Sequence, residues 1–368
     1  MKYSKFLLLF IALISLVLFS HTHLRSNFNS TTRFVNDFEG DLNVYYSRGL
    51  WYPLKKTPYL ETFSEYPELA TYLFAIPHAA LSFLYGANYD KGQYYLTFSV
   101  IMIMLLFASI VFLYNLRDKN KYLAFLMLLP ASLYFSCNRY DILPVALSIF
   151  SIWLLSKEKY KFAVFFLALG VLTKWYLILL FPIFLKFYYS RYKKINLGMI
   201  YVFCLTGIAF ILPTLLSGGI EALLVPYKFQ MARGLNKESL FYLLKSILGS
   251  DAWFTIFFIL QFSMVPLCLV SKIDSLQKVV KWSSLSILVF MLFAKFYSPQ
   301  WILWILPFLI LQARNKKDVV LIILFDFVTY LYFPVIYDGY PNLLYPIVVV
   351  KTVIILYLIA TRFRLEKN

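Results

Sequence analysis

The sequence contains little charge, since Asp, Glu, Lys and Arg make up only 14% of its 368 residues. A soluble globular protein carries about a quarter charged residues, so the composition excludes an ordinary soluble protein. Apolar residues take the place of the charged ones: 61% of the chain is hydrophobic and 20% is aromatic. Because apolar runs recur along the whole length, the sequence predicts an all-α, polytopic membrane protein with a single integral domain over residues 1–368.

Cysteine and histidine are also scarce, with three residues of each. Cys137, Cys204 and Cys268 are far apart and lie in or beside apolar segments. This arrangement excludes a disulfide framework and a CxxC zinc site, and buried thiols are expected instead. The histidines at positions 21, 23 and 78 show no metal-ligand spacing either.

Acidic residues are outnumbered, because 18 Asp and Glu stand against 35 Lys and Arg and give a formal net charge of +17. Such an excess in a soluble protein suggests a nucleic-acid partner, but the sequence has no arginine-rich arm and no nucleic-acid motif. In a membrane protein, Lys and Arg concentrate in cytoplasmic loops. Seven basic clusters separate the apolar runs: Lys2/Lys5, Arg117/Lys119/Lys121, Lys157/Lys159/Lys161, Lys186/Arg191/Lys193/Lys194, Lys272/Lys278/Lys281, Arg314/Lys316/Lys317 and Arg362/Arg364/Lys367.

If all seven clusters are cytoplasmic, an even number of crossings separates each neighbouring pair. The apolar runs fit that parity with about twelve transmembrane helices and cytoplasmic N- and C-termini. The predicted spans are 6–20, 93–116, 122–137, 141–156, 162–173, 175–188, 195–216, 251–270, 282–296, 299–312, 319–335 and 342–361. The first run resembles a signal peptide, but no small-residue cleavage site follows it, so an uncleaved helix is expected.

Two long external segments remain, residues 21–92 and 217–250. Within the first, residues 69–87 are predicted to form a helix that lies along, or dips into, the outer face. Within the second, the spacing from Glu238 to Leu248 predicts an amphipathic surface helix behind a capping region at Asn236 to Ser239.

The most unusual stretch is 37–67, which is polar, aromatic and acidic and lies between two apolar regions. Asp37, Glu39 and Asp41 alternate at its start, and Glu65 opens the EYP sequence that closes it. Asp41 has two ordinary interpretations, as a helix N-cap or as a solvated loop acid.

Further charges are predicted at the outer ends of later spans, on the same side as the acidic stretch: Arg139, Asp141, Lys174 and Lys295. Charges in lipid are expensive, so such positions call for a reason. Simple reasons stay open, because Arg139 can pair with Asp141 and Lys174 can extend to the interface.

Asp326 and Lys351 are the ionisable residues predicted nearer to mid-depth, on the last two helices. At about 1.5 Å of rise per residue their depths differ by only a few Å. A structural ion pair between them is the favoured interpretation, and a proton relay is the alternative. A transporter or flippase of lipid-linked sugars needs functional charges at mid-depth, so that class stays open, as does a non-catalytic membrane partner of a glycosylation complex.

A carboxylate among cations at an outer membrane surface suits the transfer of a sugar from a lipid phosphate. A phosphate leaving group needs cations to neutralise its charge, and the acceptor hydroxyl needs a base. Arg139, Lys174, Arg233 and Lys295 are candidate cations, and Asp41 is the candidate base. The outer Tyr and Trp residues suit sugar stacking and equally suit the interfacial aromatic belt.

Five motifs occur in order: DLNVYYSRGLWYPLKKTPY with EYPELATYLFAIP, NRYDILPVAL, LTKWYLILLFPIFL, ARGLNKESLFYLL and KFYSPQWILWILPFL. Together they resemble polyprenol-phosphate-mannose-dependent mannosyltransferases, glycosyltransferase family 87 within the GT-C membrane glycosyltransferase superfamily. The resemblance covers about residues 33–312. The chain departs from the family pattern at Glu68 and Leu177, where the family has proline, and at Asn236, where the family has glutamine.

The resemblance implies a GT-C-like fold with a long first external loop carrying interfacial helices. It implies an inverting transfer of a hexose, mannose in the family, from a polyprenyl-phosphate sugar to a lipid-linked or glycan acceptor on the extracytoplasmic face. Asp41 would be the general base, with Glu39 as a possible helper. Donor phosphate and lipid binding would fall on Arg139, Lys174, Arg233, Lys295, Ser298, Gln300 and Trp301, and substrate binding on Tyr45, Glu65, Tyr66, Asp141 and Glu238.

Some of these residues have structural interpretations that stay open. The Ser298–Trp301 turn can be a simple helix break with Pro299 in the first turn of a helix, and Glu65 can cap the 69–87 helix. A divalent cation is geometrically possible if residues 37–41 are extended, but no cofactor or metal is expected. The expected partners are the donor, the acceptor and the lipid bilayer, with no nucleic acid.

Overall fold

The computed structural model describes residues 33–249, 253–336 and 343–364. Within these residues the chain is all-helical, which confirms the predicted class, while the predicted helix 6–20 lies outside them. The α-helices are α1 (Arg33–Gly49), α2 (Glu68–Tyr85), α3 (Lys91–Leu116), α4 (Pro130–Asn138), α5 (Ile142–Ser156), α6 (Tyr160–Val171), α7 (Leu180–Tyr192), α8 (Leu197–Ala232), α9 (Leu240–Leu248), α10 (Trp253–Phe262), α11 (Met264–Val270), α12 (Leu276–Phe293), α13 (Ile302–Gln312), α14 (Lys316–Tyr330) and α15 (Leu344–Arg364). Short 3₁₀ helices precede α4, α7 and α13 at Lys121–Leu128, Trp175–Leu179 and Pro299–Trp301, and a π-helical segment, Leu331–Ile336, continues α14.

In the part of the chain that the structure describes, six helical segments are long and apolar enough to cross a bilayer. They are α3, α8, α10 with α11, α12, α14 with its continuation to Ile336, and α15. The pair α4 and α5 makes a seventh if it counts as one broken span. These segments confirm a multi-pass membrane protein, whereas α6 and α13 are apolar but shorter.

The predicted continuous helix over 122–137 is wrong, because the chain breaks at Leu129. Pro130 disfavours helical geometry in the residue before it, and Leu129 is extended at φ −62° and ψ 156°. A second break follows at Arg139, which is also extended, and α4 and α5 meet there at 109°. The two breaks leave a short helix, α4, whose end presents Arg139.

The described part of the predicted external segment 21–92 starts with a helix, α1. Leu42, Tyr45 and Gly49 are buried on one face of α1, with the spacing of an amphipathic helix. Gly49 lies so close to α2 that a Cβ atom there would be 2.1 Å from the carbonyl oxygen of Phe74. The buried His78 of α2 also contacts α1, because its Nε2 lies 2.9 Å from the carbonyl oxygen of Tyr46.

Helix α2 matches the predicted 69–87 helix and has Pro77 in its interior. It is not among the segments that are long and apolar enough to span a bilayer. Its N-cap is Pro67, so the interpretation of Glu65 as its cap is wrong.

Helix α12 lies at the centre of the bundle, and α8 and the α10–α11 pair lie at its periphery. In the apolar stretch of α12, 72% of the residues are buried. In α8 and in the α10–α11 pair, only 17% of the residues in the corresponding stretch are buried. The predicted span 195–216 continues as α8 to Ala232, with a kink at Gly219 where φ is 66° and ψ is −166°. This conformation favours glycine. The half of α8 that follows the kink contacts the loop between α1 and α2, where the ring of Phe229 meets that of Phe63 edge-on at 5.8 Å.

Helix α9 confirms the helix predicted around 238–248. It begins after Ser239, whose Oγ accepts a hydrogen bond of 3.1 Å from the amide of Tyr242.

Cys137 and Cys268 are buried thiols as predicted, but Cys204 is exposed because it lies on the peripheral helix α8.

The predicted ion pair between Asp326 and Lys351 does not form. The carboxylate of Asp326 instead accepts hydrogen bonds from the first turn of α4: from the amides of Ala131 at 2.9 Å and Ser132 at 3.1 Å, and from the Ser132 hydroxyl at 2.5 Å. Free amides at a helix start attract a carboxylate. Lys351 donates to the carbonyl oxygen of Glu238 at 2.7 Å.

Candidate active site

Asp41 and Arg139 form an ion pair at the point where α1 meets the break between α4 and α5. The Nε atom of Arg139 lies 2.7 Å from Oδ2 of Asp41. The arginine side chain is only 7% exposed, whereas the aspartate side chain is 37% exposed. Asp41 is inside α1, so its interpretation as an N-cap is wrong, and the predicted base is open to solvent with a buried cation behind it.

Asp141 and Lys174 form a second ion pair, with 2.6 Å between Nζ and Oδ1. Arg139 and Asp141 therefore do not pair with each other, since each binds a partner from elsewhere in the chain. The same oxygen of Asp141 accepts a 2.7 Å hydrogen bond from Nε1 of Trp304. Asp141 is fully buried and Lys174 is 20% exposed, so the pair faces the site through the lysine.

Lys174 lies in a cage of aromatic rings. Its Nζ is 4.5 Å from the ring centre of Tyr140 and 5.2 Å from that of Trp304. Cations are stabilised over such rings. Burial lowers the pKa of Lys174, and Asp141 acts in the opposite direction.

Arg233 joins these groups from the end of α8. Burial lowers its pKa, while Tyr66, Asp41 and Glu65 act in the opposite direction through their negative charge when ionised. Its guanidinium lies 3.5 Å from the ring centre of Phe296, and its side chain keeps solvent exposure. We call Asp41, Arg139, Asp141, Lys174 and Arg233 the Asp41 cluster.

Glu65 also has a cation of its own. Nε and Nη2 of Arg48 lie 2.5 Å and 3.3 Å from its two carboxylate oxygens. Among the described residues, Arg233 and Lys295 form no ion pair within 4.0 Å. Lys295 donates instead to the carbonyl oxygen of Met231, at 3.0 Å. Each of the carboxylates Asp41, Asp141 and Glu65 thus has a cationic partner. Arg233 and Lys295 have no carboxylate partner among the described residues, so positive charge is in excess at the site.

Tyrosines form the wall behind Asp41. The buried ring of Tyr45 stacks on Phe74 with 4.6 Å between centres, and meets Tyr140 and Tyr66 edge-on at 5.5 Å and 5.9 Å. The Tyr45 hydroxyl donates to Asp41 at 3.5 Å. Tyr45 therefore packs and orients Asp41, while Tyr66 is partly exposed.

Trp301 connects the last motif to the cluster, because its ring stacks on Trp304 with 4.4 Å between centres. The Ser298 hydroxyl donates to Oε1 of Gln300 at 2.9 Å. Pro299 opens the helical turn, as predicted. Trp301 thus packs against a residue that binds Asp141, and for Ser298 and Gln300 a donor-binding role stays a prediction.

Glu238 lies apart from the Asp41 cluster, although Arg233 is near enough to influence it. The Glu238 carboxylate accepts a hydrogen bond from Nδ2 of Asn236. Oδ1 of Asn236 in turn accepts a 3.0 Å hydrogen bond from the amide of Tyr297. Burial raises the pKa of Glu238. This network ties the start of α9 to the turn before α13.

Glu39 is in α1, and its side chain is outside the described part of the structure. Two helical residues correspond to a rotation of about 200°, so positions 39 and 41 lie on different faces of α1. The extended geometry assumed for a metal site at 37–41 is therefore wrong. In the described ranges no group of three His, Cys, Asp or Glu residues could hold a metal ion. The role of Glu39 stays a prediction.

Three residues of the site were not predicted from the sequence: Arg48, Tyr140 and Trp304. Arg48 and Tyr140 had signals, because Arg48 follows Tyr45 by one turn of helix and Tyr140 stands between two predicted site residues. Trp304 stands in the last of the five motifs, but the sequence does not show that a tryptophan in an apolar run donates a hydrogen bond to a buried carboxylate.

Comparisons with known proteins add no family assignment: no protein-family model matches this chain, and no curated protein matches it.

Proposed function

We propose that this protein is a membrane glycosyltransferase that moves a hexose, with mannose as the first candidate, from a polyprenyl-phosphate sugar to a lipid-linked or glycan acceptor. One observation carries the proposal. Asp41 is a half-exposed carboxylate inside a group of cations that outnumber the carboxylates. Asp141 and Glu65, at 0% and 12% exposure, are too buried to act as the base.

The reaction needs one base and several cations. The acceptor hydroxyl attacks the anomeric carbon, a new C–O bond forms, and its proton passes to Asp41. The bond between the anomeric carbon and the phosphate oxygen breaks, and polyprenyl phosphate leaves with the electron pair. Attack from the side opposite the leaving group inverts the anomeric centre.

The cations divide into two groups with different tasks. Arg139 holds Asp41, and Lys174 is held by Asp141, so these residues fix the site before a ligand arrives. Arg233 and Lys295 have no carboxylate partner among the described residues and suit the phosphate that gains charge as the bond breaks. Electrostatic stabilisation of this kind is usually the largest catalytic effect.

The proposal includes a GT-C-like arrangement with about twelve crossings, counting the short apolar helices. It places both termini in the cytoplasm and the Asp41 cluster on the extracytoplasmic face. Among the described residues, no contact favours the alternative of a transporter, because Asp326 and Lys351 are both engaged in helix packing.

The test is transfer from a panel of polyprenyl-phosphate sugars to lipid extracts by the purified full chain. We expect Asp41→Asn to lower turnover by about 10²–10⁴-fold, the usual contribution of a general base. Glu61→Gln is the matched control, because Glu61 is an exposed acid of the same predicted external segment, and its carboxylate bonds to Thr57 and lies outside the Asp41 cluster. Full turnover in Asp41→Asn would refute the base, and no transfer by the wild-type protein from any donor would refute the function.

A further inference from the structure

A cavity of about 430 Å³ lies between the first turns of α14 and the last turns of α15. It is far from the Asp41 cluster. Arg139 contacts the ring of Phe333, at the other end of the α14 segment. Lys316, which lines the cavity, precedes Phe333 by 17 residues, or roughly 25 Å of helix. Because α14 and α15 both qualify as spans, the cavity and the cluster lie at opposite ends of a length of helix that is long enough to cross a bilayer.

The mouth of the cavity is positively charged. Lys316 and Lys317 line it and are exposed, and Arg362 lines it from α15. Asp318 is the acid in the lining, but its Oδ2 is occupied in capping α14. That atom accepts hydrogen bonds from the amides of Arg314 at 2.8 Å and Asn315 at 3.2 Å. Three cations against one engaged carboxylate leave a surplus of positive charge.

Arg362 is the buried cation in the lining of this cavity. It is only 7% exposed, so its charge is nearly removed from water. Its Nη1 donates to the carbonyl oxygen of Leu358 at 3.1 Å, but its Nε finds no partner among the described residues. A buried guanidinium with an unused donor is unfavourable without an acceptor. An anionic oxygen in the cavity would supply that acceptor.

The floor of the cavity is apolar and open to the bilayer. Val320, Leu324 and Tyr357 line it with exposures of 62%, 45% and 56%. Leu324 lies eight residues after Lys316, about 12 Å deeper along α14. The cavity thus changes from cations at the surface to apolar side chains within the hydrocarbon, which is the polarity profile of a phospholipid.

We propose that this cavity binds an anionic phospholipid, with the phosphate against Arg362 and the two lysines and the acyl chains along Val320 and Leu324. Basic pockets between spanning helices hold lipid headgroups in this way. The inference does not depend on the proposed enzymatic function, because the site lies at the opposite end of α14 and shares no residue with the Asp41 cluster.

Native mass spectrometry of the purified full chain tests the proposal, with phosphatidylglycerol and phosphatidylcholine of equal chain length as probes. We expect the wild-type protein to retain phosphatidylglycerol preferentially. Arg362→Gln should weaken that retention about tenfold, the usual effect of a charge-assisted hydrogen bond. In the double variant Lys316→Gln/Lys317→Gln, the loss of each lysine should weaken phosphatidylglycerol retention about fivefold. This variant still tests the site if Arg362→Gln fails to fold.

The matched control is Lys193→Gln/Lys194→Gln, which removes two exposed cations from the turn between α7 and α8. Retention in the control should equal that of the wild-type protein, and an equal loss in both double variants would mean general attraction and overturn the site. Equal retention of the two lipids would overturn it as well. Glycerol 3-phosphate is the third probe: if it displaces the lipid, the site takes free phosphate and the assignment to a lipid is wrong.

Discussion

Replacing Asp141 tests whether the second ion pair holds the site together. In Asp141→Asn, Trp304 keeps its acceptor, because the amide oxygen can take the place of Oδ1 in the 2.7 Å hydrogen bond. Lys174 loses its counter-charge 2.6 Å away and stays in a largely buried position. Breaking a buried pair costs about 3–5 kcal/mol. Since Lys174 is 20% exposed, we expect a loss near the lower limit, about 3 kcal/mol.

The pH dependence of that loss has a defined sign. Burial already holds the pKa of Lys174 below its ordinary value, and Asp141 opposes this shift. In Asp141→Asn the opposition is gone, so the folded-state pKa falls further while the unfolded-state value stays near 10.4. Below the folded pKa the protonated lysine destabilises the fold fully, and as pH rises through that pKa the penalty is relieved. The variant should therefore approach wild-type stability as the pH rises toward the unfolded-state value of about 10.4.

The assay is equilibrium unfolding in mixed micelles, followed by circular dichroism. The double variant Asp141→Asn/Lys174→Met removes both charges and should recover most of the loss, because a neutral pair leaves no buried charge unpaired. Asp274→Asn is the control. It breaks the partly exposed pairs with Lys278 at 2.9 Å and Lys272 at 3.3 Å, and should cost no more than about 1 kcal/mol. The reasoning fails if Asp141→Asn costs no more than this control, or if the double variant is less stable than the single one.

Two further substitutions test the packing around the site by the same measurement. Asp326→Ala should cost about 2–4 kcal/mol, because it leaves two amides and a hydroxyl at the start of α4 without their acceptor; a loss below 1 kcal/mol would mean that water replaces the carboxylate. Gly49→Ala should cost about 1–3 kcal/mol through its clash with the Phe74 carbonyl. Gly40→Ala in the same helix meets nothing within 4 Å and should be neutral or stabilising, so equal effects at the two glycines would refute the close approach.

The helical class and the apolar segments could be predicted from composition and hydropathy, because lipid forces the backbone to satisfy its own hydrogen bonds. The break at Leu129 could not be placed in the same way. Pro130 stands in an apolar run that looks continuous, so hydropathy averages over it and predicts one helix, 122–137, where the chain has a 3₁₀ helix and a short α-helix. The bend at Arg139 falls in the turn predicted between the spans 122–137 and 141–156.

The gathering of Arg139, Lys174 and Arg233 near Asp41 was expected from the topology, and the structure places them together. The choice of partners was not predictable. Arg139 and Asp141 are two residues apart, so sequence proximity suggested a local pair, whereas packing gives each a partner from a distant helix. Depth alone suggests a pair of Asp326 and Lys351, but depth does not give the direction of a side chain around the helix axis. Lys351 binds a backbone carbonyl, and Asp326 binds two backbone amides and the Ser132 hydroxyl.

Gly219 has a consequence for how the site is assembled. Beyond this kink, the second half of α8 buries only Ala222 and Pro226, yet it carries Arg233 to the Asp41 cluster. Local opening costs least where few apolar contacts are made. The two ion pairs therefore lie in the packed part of the fold, while Arg233, one of the two excess cations, is carried by an arm that buries few residues. Opening of this arm would remove one positive charge from the Asp41 cluster and leave Lys295, which follows α12, in place.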